Sequence, residues 1–272
     1  MIADSQPSDR LLEWSVSRLM WLQKEFGMSE LKSRVALVTG SSRGIGKAVA
    51  LALAEAGAVV AVNYREREDD AGAVAEAIRK RGGHAAVFGA DVSLSAQVHR
   101  MVHEVERQLG PVDILVNNAG MAMARGLDEI TEEDFDRTVA SNLKSVFLCT
   151  QAVLPGMRAR RWGRIVNVSS IGARIGAGSV SVAYGVSKAG LEGLTRAYAL
   201  RLAPEGVTVN AVAPGLVDTE MGKPLIAAGV AARIPVGRAG TGDEIAQAVM
   251  FLVDNGYMTG QTIAINGGTL FS

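Results

Sequence analysis

Short apolar runs rich in Val, Ile and Ala recur along the chain, separated by longer Ala-rich stretches whose apolar positions repeat every three or four residues. The runs fit strands buried on both faces and the stretches fit helices laid over them, as in βαβ units around a parallel sheet. The pattern predicts strands at Val35 to Val38, Val59 to Asn63, Ala85 to Gly89, Ile114 to Val116, Arg164 to Val168, Val207 to Ala211 and Thr262 to Ile265, with helices in most of the gaps. No internal repeat, low-complexity tract or Pro-rich linker breaks the series. Residues 31–272 therefore read as a single doubly wound α/β domain, a parallel sheet of about seven strands flanked by helices.

Residues 1–30 stand outside this scheme. Leu12, Val16, Leu19 and Phe26 fall near one helical stripe interrupted by Gln23, with Trp14 and Trp21 elsewhere, which predicts a moderately amphipathic helical extension. Charges interrupt every apolar run, and Asp4, Asp9 and Glu13 argue against a secretory or transit peptide. Met28, just ahead of the first strand, stands as an alternative start.

Composition narrows the class. A chain of 272 residues, 48% hydrophobic and of zero formal net charge, has enough apolar content for one large core. It gives no electrostatic reason to expect nucleic acid or a membrane surface as partner, and it contains no run of about 18 apolar residues to span a bilayer. The only cysteine, Cys149, excludes an internal disulfide and a cysteine-cluster metal site, in keeping with a cytoplasmic location. His99, His103 and Glu106 share one helical face and read as a solvated stripe, so no metal is expected.

Chemistry is concentrated at two places. In Tyr184-Gly185-Val186-Ser187-Lys188 a phenol and an ammonium lie about one helical turn apart, and a fixed cation favours the phenolate. That arrangement suits proton exchange during carbonyl reduction or alcohol oxidation. After the first strand, Gly40-Ser41-Ser42-Arg43-Gly44-Ile45-Gly46 opens a helix, which gives a tight turn and exposed N–H groups for a pyrophosphate: a Rossmann-type dinucleotide loop with an unusual spacing between its first two glycines. The second strand ends Asn63-Tyr64-Arg65, with no carboxylate to hold a ribose 2′-hydroxyl. Arg65 and Arg43 offer two guanidinium groups for a 2′-phosphate, so NADP(H) is the expected cofactor.

In that order these residues resemble the short-chain dehydrogenase/reductases, and the match continues to the C-terminus. Asp91-Val92 is similar to the family's adenine contact, Asn117-Asn118-Ala119-Gly120 to its segment flanking the cofactor, and Pro214-Gly215-Leu216-Val217-Asp218-Thr219 to its loop facing the nicotinamide. The resemblance implies a catalytic tetrad. Ser170 would orient the carbonyl, with Ser169 as the less favoured choice. Tyr184 would act as acid or base, Lys188 would lower its pKa and bind the ribose, and Asn142 would support a proton relay. Fourteen positions separate Ser170 from Tyr184, and the Gly-rich stretch from Gly172 to Ser181 can absorb the extra residue.

Within the family the chain looks most like bacterial 3-oxoacyl-(acyl-carrier-protein) reductases, through Asn142 to Phe147, Ile234 to Arg238 and the Ile265-Asn266-Gly267-Gly268 ending. This implies an NADPH-dependent homotetramer acting on a small carbonyl substrate, with a carrier-protein-linked acyl group as the leading candidate. The apolar segment from Leu216 to Ile234 reads as a lid suited to an acyl chain. Arg160, Arg161 and Arg164 read either as an acidic carrier's docking place at the mouth of the site or as a solvated helix end, with Glu205 arguing against the first. A dehydrogenase of a sugar, polyol or other secondary alcohol shares the same motifs. A non-catalytic nucleotide-binding scaffold would have no need of all four tetrad residues.

Overall fold

The structure, a computed structural model, describes residues 31–176 and 180–271. The N-terminal extension, its amphipathic stripe and the choice of start at Met28 lie outside the described residues. Seven parallel strands run in the order β3-β2-β1-β4-β5-β6-β7: β1 Val35–Val38, β2 Val59–Tyr64, β3 His84–Gly89, β4 Val112–Asn117, β5 Gly163–Val168, β6 Val207–Pro214 and β7 Thr262–Ile265. The helices are α1 Gly44–Glu55, α2 Glu68–Lys80, α3 Ser95–Leu109, α4 Glu132–Val139, α5 Ser145–Ala159, α6 Gly172–Ile175, α7 Val182–Leu202, α8 Lys223–Ala227 and α9 Gly242–Asp254.

Each strand alternates its side chains between two cores. Ala36 and Val38 of β1 join Val60 and Val62 under α1, α2 and α9, whereas Val35 and Leu37 join Leu115 and Ile165 under α3, α5 and α7. Both faces are covered, which is why the strands read as continuous apolar runs. All seven predicted strands are present, several longer than expected. β4 starts at Val112 because Asp113, buried, accepts the Val35 N–H and pairs with Arg34 and Arg160. β6 continues to Pro214, which lies opposite Ile265 of β7.

After β3 the chain crosses back to place β4 on the far side of β1. Connections therefore leave the neighbouring C-terminal ends of β1 and β4 in opposite directions and open a crevice there, where ligands bind in sheets of this kind. The glycine loop, Asn118 to Gly120, the two serines after β5 and the loop after β6 all issue from these C-terminal ends.

Candidate active site

The glycine loop is held by its neighbours. Thr39 Oγ1 accepts the backbone N–H groups of Asn118 and Ala119, each at 3.0 Å, and Asn118 Nδ2 donates to the carbonyls of Thr39 and Gly40, each at 2.9 Å. Asn63 Oδ1 accepts the Gly40 N–H, and Ser41 Oγ donates to Val38 O. Local pattern shows Thr39 and Ser41 only as part of the glycine loop and Asn63 only as the end of a strand, and does not reveal the bonds they make. Their signal was three small polar residues at the ends of two apolar strands.

Gly40 has φ +60°, and a Cβ there would sit 2.9 Å from Ala119 Cα; a Cβ on Gly46 would sit 2.6 Å from Gly40 O. The loop thus requires bare backbone at these positions. α1 has no acidic residue in its first turn and no side-chain cap at Arg43, so the helix itself supplies no partner for its first N–H groups. Ser42 and Gly44 lie on the open side of this turn, and Ile45 packs on the core. These features fit a bound pyrophosphate.

The other expected cofactor contacts line the same edge. Tyr64 ends β2 and Arg65 follows it, Arg65 pairing with Glu66 at 2.7 Å and the Tyr64 hydroxyl leaning over Gly89. Asp91 Oδ1 accepts the N–H and hydroxyl of Ser93, forming the turn into α3, while Val92 is buried in the core. Gly215, after Pro214, donates its N–H to Ile265 O. Val217 is buried and bridges Gly240, and Thr219 stands over Gly44, whose Cβ would meet its methyl at 3.4 Å.

The tetrad residues converge in part. Ser181 caps α7 and accepts the Tyr184 N–H, which fixes Tyr184 in the first turn of the helix. The Ser170 hydroxyl lies beside the Tyr184 phenol and favours its ionised form, and Ser170 Oγ accepts the Gly172 N–H at 3.0 Å. Ser169, by contrast, turns its hydroxyl to Lys188 O and Glu192 Oε1, away from Tyr184. Lys188 is buried; its Nζ donates to Val168 O at 2.7 Å and lies 5.8 Å from the centre of the Tyr184 ring. Gly120 faces this group, since a Cβ there would lie 3.6 Å from Lys188 Nζ and 3.2 Å from Asn142 Oδ1.

Asn142 occupies a π-helical turn, Ala140–Lys144, between α4 and α5. Its side chain is fully engaged: Oδ1 accepts the Met121 N–H, and Nδ2 donates to Met121 O and Ser187 Oγ. The wider turn delivers the amide to the loop after β4, a register that local spacing does not reveal.

The electrostatics differ from expectation in one respect. Burial pushes the Tyr184 phenol up, with the Ser170 hydrogen bond opposing it, and burial brings the Lys188 ammonium down to about 8. The expected net lowering of Tyr184 by Lys188 is thus not what the structure gives. Burial dominates at both groups, raising the phenol and lowering the ammonium.

The arginine patch also needs correction. Arg164 lies near the start of β5 and Ser170 follows its far end, so about 20 Å of extended chain separates them at roughly 3.3 Å per residue. Arg160 is bound to Val112 O and Asp113, Arg161 to Pro204 O and Arg164 to Val253 O. Arg158 pairs with Glu205, the residue that had argued against a basic patch. These side chains brace the opposite end of the sheet and do not line the mouth of this chain's site. The expected lid contains α8, a 3₁₀ turn at Val230–Arg233 and an exposed Met221. His99, His103 and Glu106 are exposed on α3, and among the described residues no cluster of potential metal ligands occurs. No helix among the described residues is long and apolar enough to cross a membrane.

Comparison with known proteins places this architecture. A short-chain dehydrogenase family model described as enoyl-(acyl carrier protein) reductase matches residues 40–269. The 3-oxoacyl-[acyl-carrier-protein] reductase of Staphylococcus epidermidis is 43% identical over 242 residues, covering 87% of this chain and 98% of that protein. The corresponding reductase of Pseudomonas aeruginosa is 41% identical over 248 residues, covering 89% and 99%. Among solved structures, a dehydrogenase/reductase from Sinorhizobium meliloti superposes with a TM-score of 0.82 at 36% identity, covering 89% of this chain and 96% of that one. A chain provisionally described as a gluconate dehydrogenase from Agrobacterium tumefaciens gives 0.84 at 34% identity, covering 89% and 98%. With the glycine loop, sheet order and relatives in agreement, the chain belongs to the short-chain dehydrogenase/reductase family and is an oxidoreductase.

Proposed function

We propose that the chain reduces a 3-oxoacyl thioester to the 3-hydroxyacyl thioester with NADPH. The observation that carries this reading is the placement of Ser170 beside the Tyr184 phenol, with Lys188 one turn along α7, beside the glycine loop at the C-terminal edge of the sheet. NADPH, when bound, supplies the hydride that reaches the carbonyl carbon. Ser170 holds the carbonyl oxygen, and Tyr184, kept protonated by burial, donates its proton to that oxygen. Lys188 in its protonated form stabilises the phenolate left behind and holds the ribose. Asn142 supports the proton relay by fixing Met121 and Ser187 around Lys188.

For the nucleotide, the turn from Gly40 to Gly46 takes the pyrophosphate, Arg43 and Arg65 the 2′-phosphate, and Asp91 and Val92 the adenine. Asn118 to Gly120 flank the cofactor, and Pro214 to Thr219 face the nicotinamide. The 3-oxoacyl-[acyl-carrier-protein] reductases among the relatives support an acyl substrate presented on a carrier protein, and a cytoplasmic location is part of the same proposal. The structure described as a gluconate dehydrogenase supports a second reading, oxidation of a sugar or polyol alcohol. We also propose a homotetramer. An open apolar depression of about 490 Å³, lined by Val139, Leu143, Phe147, Leu194 and Ala197, leaves Phe147 45% exposed on a helical face suited to a second copy.

The test follows NADPH absorbance with the purified protein, acetoacetyl thioester, small ketones and, in reverse, sugars and polyols. Rapid turnover of the thioester is expected. Turnover confined to sugars or polyols overturns the acyl reading in favour of the second, and a light-scattering mass of one chain removes the tetramer.

A further inference from the structure

Three segments distant in sequence meet at one carboxylate. Glu220, in the loop after β6, pairs with Arg43 at the N-terminus of α1 and with Arg67 at the N-terminus of α2, the latter at 3.1 Å. Arg67 also reaches Asp70 at 3.4 Å, while Arg65 is turned to Glu66. All three partners of the Glu220 cluster are about half exposed, so the pairing is open to competition from solution. Two guanidinium forks converging on one carboxylate present the geometry they would offer to a phosphate, which carries more charge and more acceptor oxygens.

We propose that Glu220 is an internal competitor for the cofactor's 2′-phosphate: it holds Arg43 and Arg67 together until a phosphate displaces it, and Arg67 is a further phosphate-binding residue. The proposal rests on the NADPH reading above and adds two residues to it. Displacement leaves the Glu220 carboxylate beside a dianion, and the repulsion drives the segment carrying it, the expected lid, away from the arginines. A cofactor without the 2′-phosphate has nothing to exchange for Glu220. Nucleotide discrimination and movement of the lid are then one event.

The experiment measures binary-complex dissociation constants for NADPH and NADH by nicotinamide fluorescence, without turnover, in the wild type, Glu220→Gln and Arg67→Ala. Glu220→Gln should tighten NADPH about two- to fivefold, the span expected for losing a competing exposed ion pair, and leave NADH unchanged. Arg67→Ala should weaken NADPH and leave NADH unchanged. A wild type that prefers NADPH, with the same NADPH to NADH ratio in Glu220→Gln, overturns this proposal alone. A wild type without preference for NADPH overturns the nucleotide reading and this proposal together.

Discussion

Replacing Lys188 with Met removes a buried ammonium while keeping a long, flexible side chain. Burial lowers this Lys from 10.5 to about 8, a gap of about 2.5 units that at about 1.36 kcal/mol per unit works against the fold by about 3 kcal/mol. Below pH 8 both the folded and the unfolded chain carry the proton, so the whole penalty is present. Between about 8 and 10.5 the folded chain has released it and the unfolded chain has not. Unfolding then takes up a proton, and wild-type stability rises with pH until the penalty is gone. A thioether at this position does not titrate, so Lys188→Met carries no such dependence. The variant also strands Val168 O, an offset of about 1–3 kcal/mol that is the same at every pH. The decisive quantity is therefore the change in the difference between the two proteins. Urea unfolding followed by far-ultraviolet circular dichroism, at fixed protein concentration from pH 7 to 10.5, should show wild type gaining about 3 kcal/mol on Lys188→Met. A difference that stays flat across that range refutes the argument that charge burial governs this Lys.

Tyr184→Phe should lower turnover roughly 10²- to 10⁴-fold while NADPH binding, read by fluorescence, stays within about twofold of wild type. Asn142→Ala strands the Met121 N–H and carbonyl, at about 1–3 kcal/mol each, and should lower the thermal midpoint by several degrees; an unchanged midpoint would show that water replaces the amide. Cys149 is buried and its thiol is pushed up to about 12, so an aromatic disulfide reagent at pH 8 should leave it unmodified in the folded protein and label it in urea. Labelling at equal rates in both states would contradict that burial.

The strands were legible because a sheet covered on both faces writes each of them as an uninterrupted apolar run. β4 was cut short by Asp113, which reads as a breaker until the long-range partners Val35, Arg34 and Arg160 satisfy it. The approach of Ser170 to Tyr184 follows from the order of elements, since a parallel sheet brings every strand end to one edge. Direction explains the misplaced arginines: the apolar pattern of β5 is the same read from either end, yet only its C-terminal end belongs to the site. The depth at which Lys188 is buried was not legible, because spacing shows the neighbouring phenol and hides the packing around it. Glu220 and Arg67 lie 153 residues apart, beyond the reach of any local pattern.

At the other edge of the sheet, Trp162 is flanked by Arg34, 3.8 Å from its centre, and Arg164, at 4.6 Å, with Asp113 binding Arg34 and Arg160 nearby. Such stacked cations contribute on the order of 0.5–2 kcal/mol apiece. A strand's length keeps them from the chemistry, and substitutions separated by more than about 10 Å usually act additively. Heat tolerance and substrate choice can thus be tuned at opposite ends of the same strands, so that adaptation to a new temperature need not be renegotiated with each change of substrate.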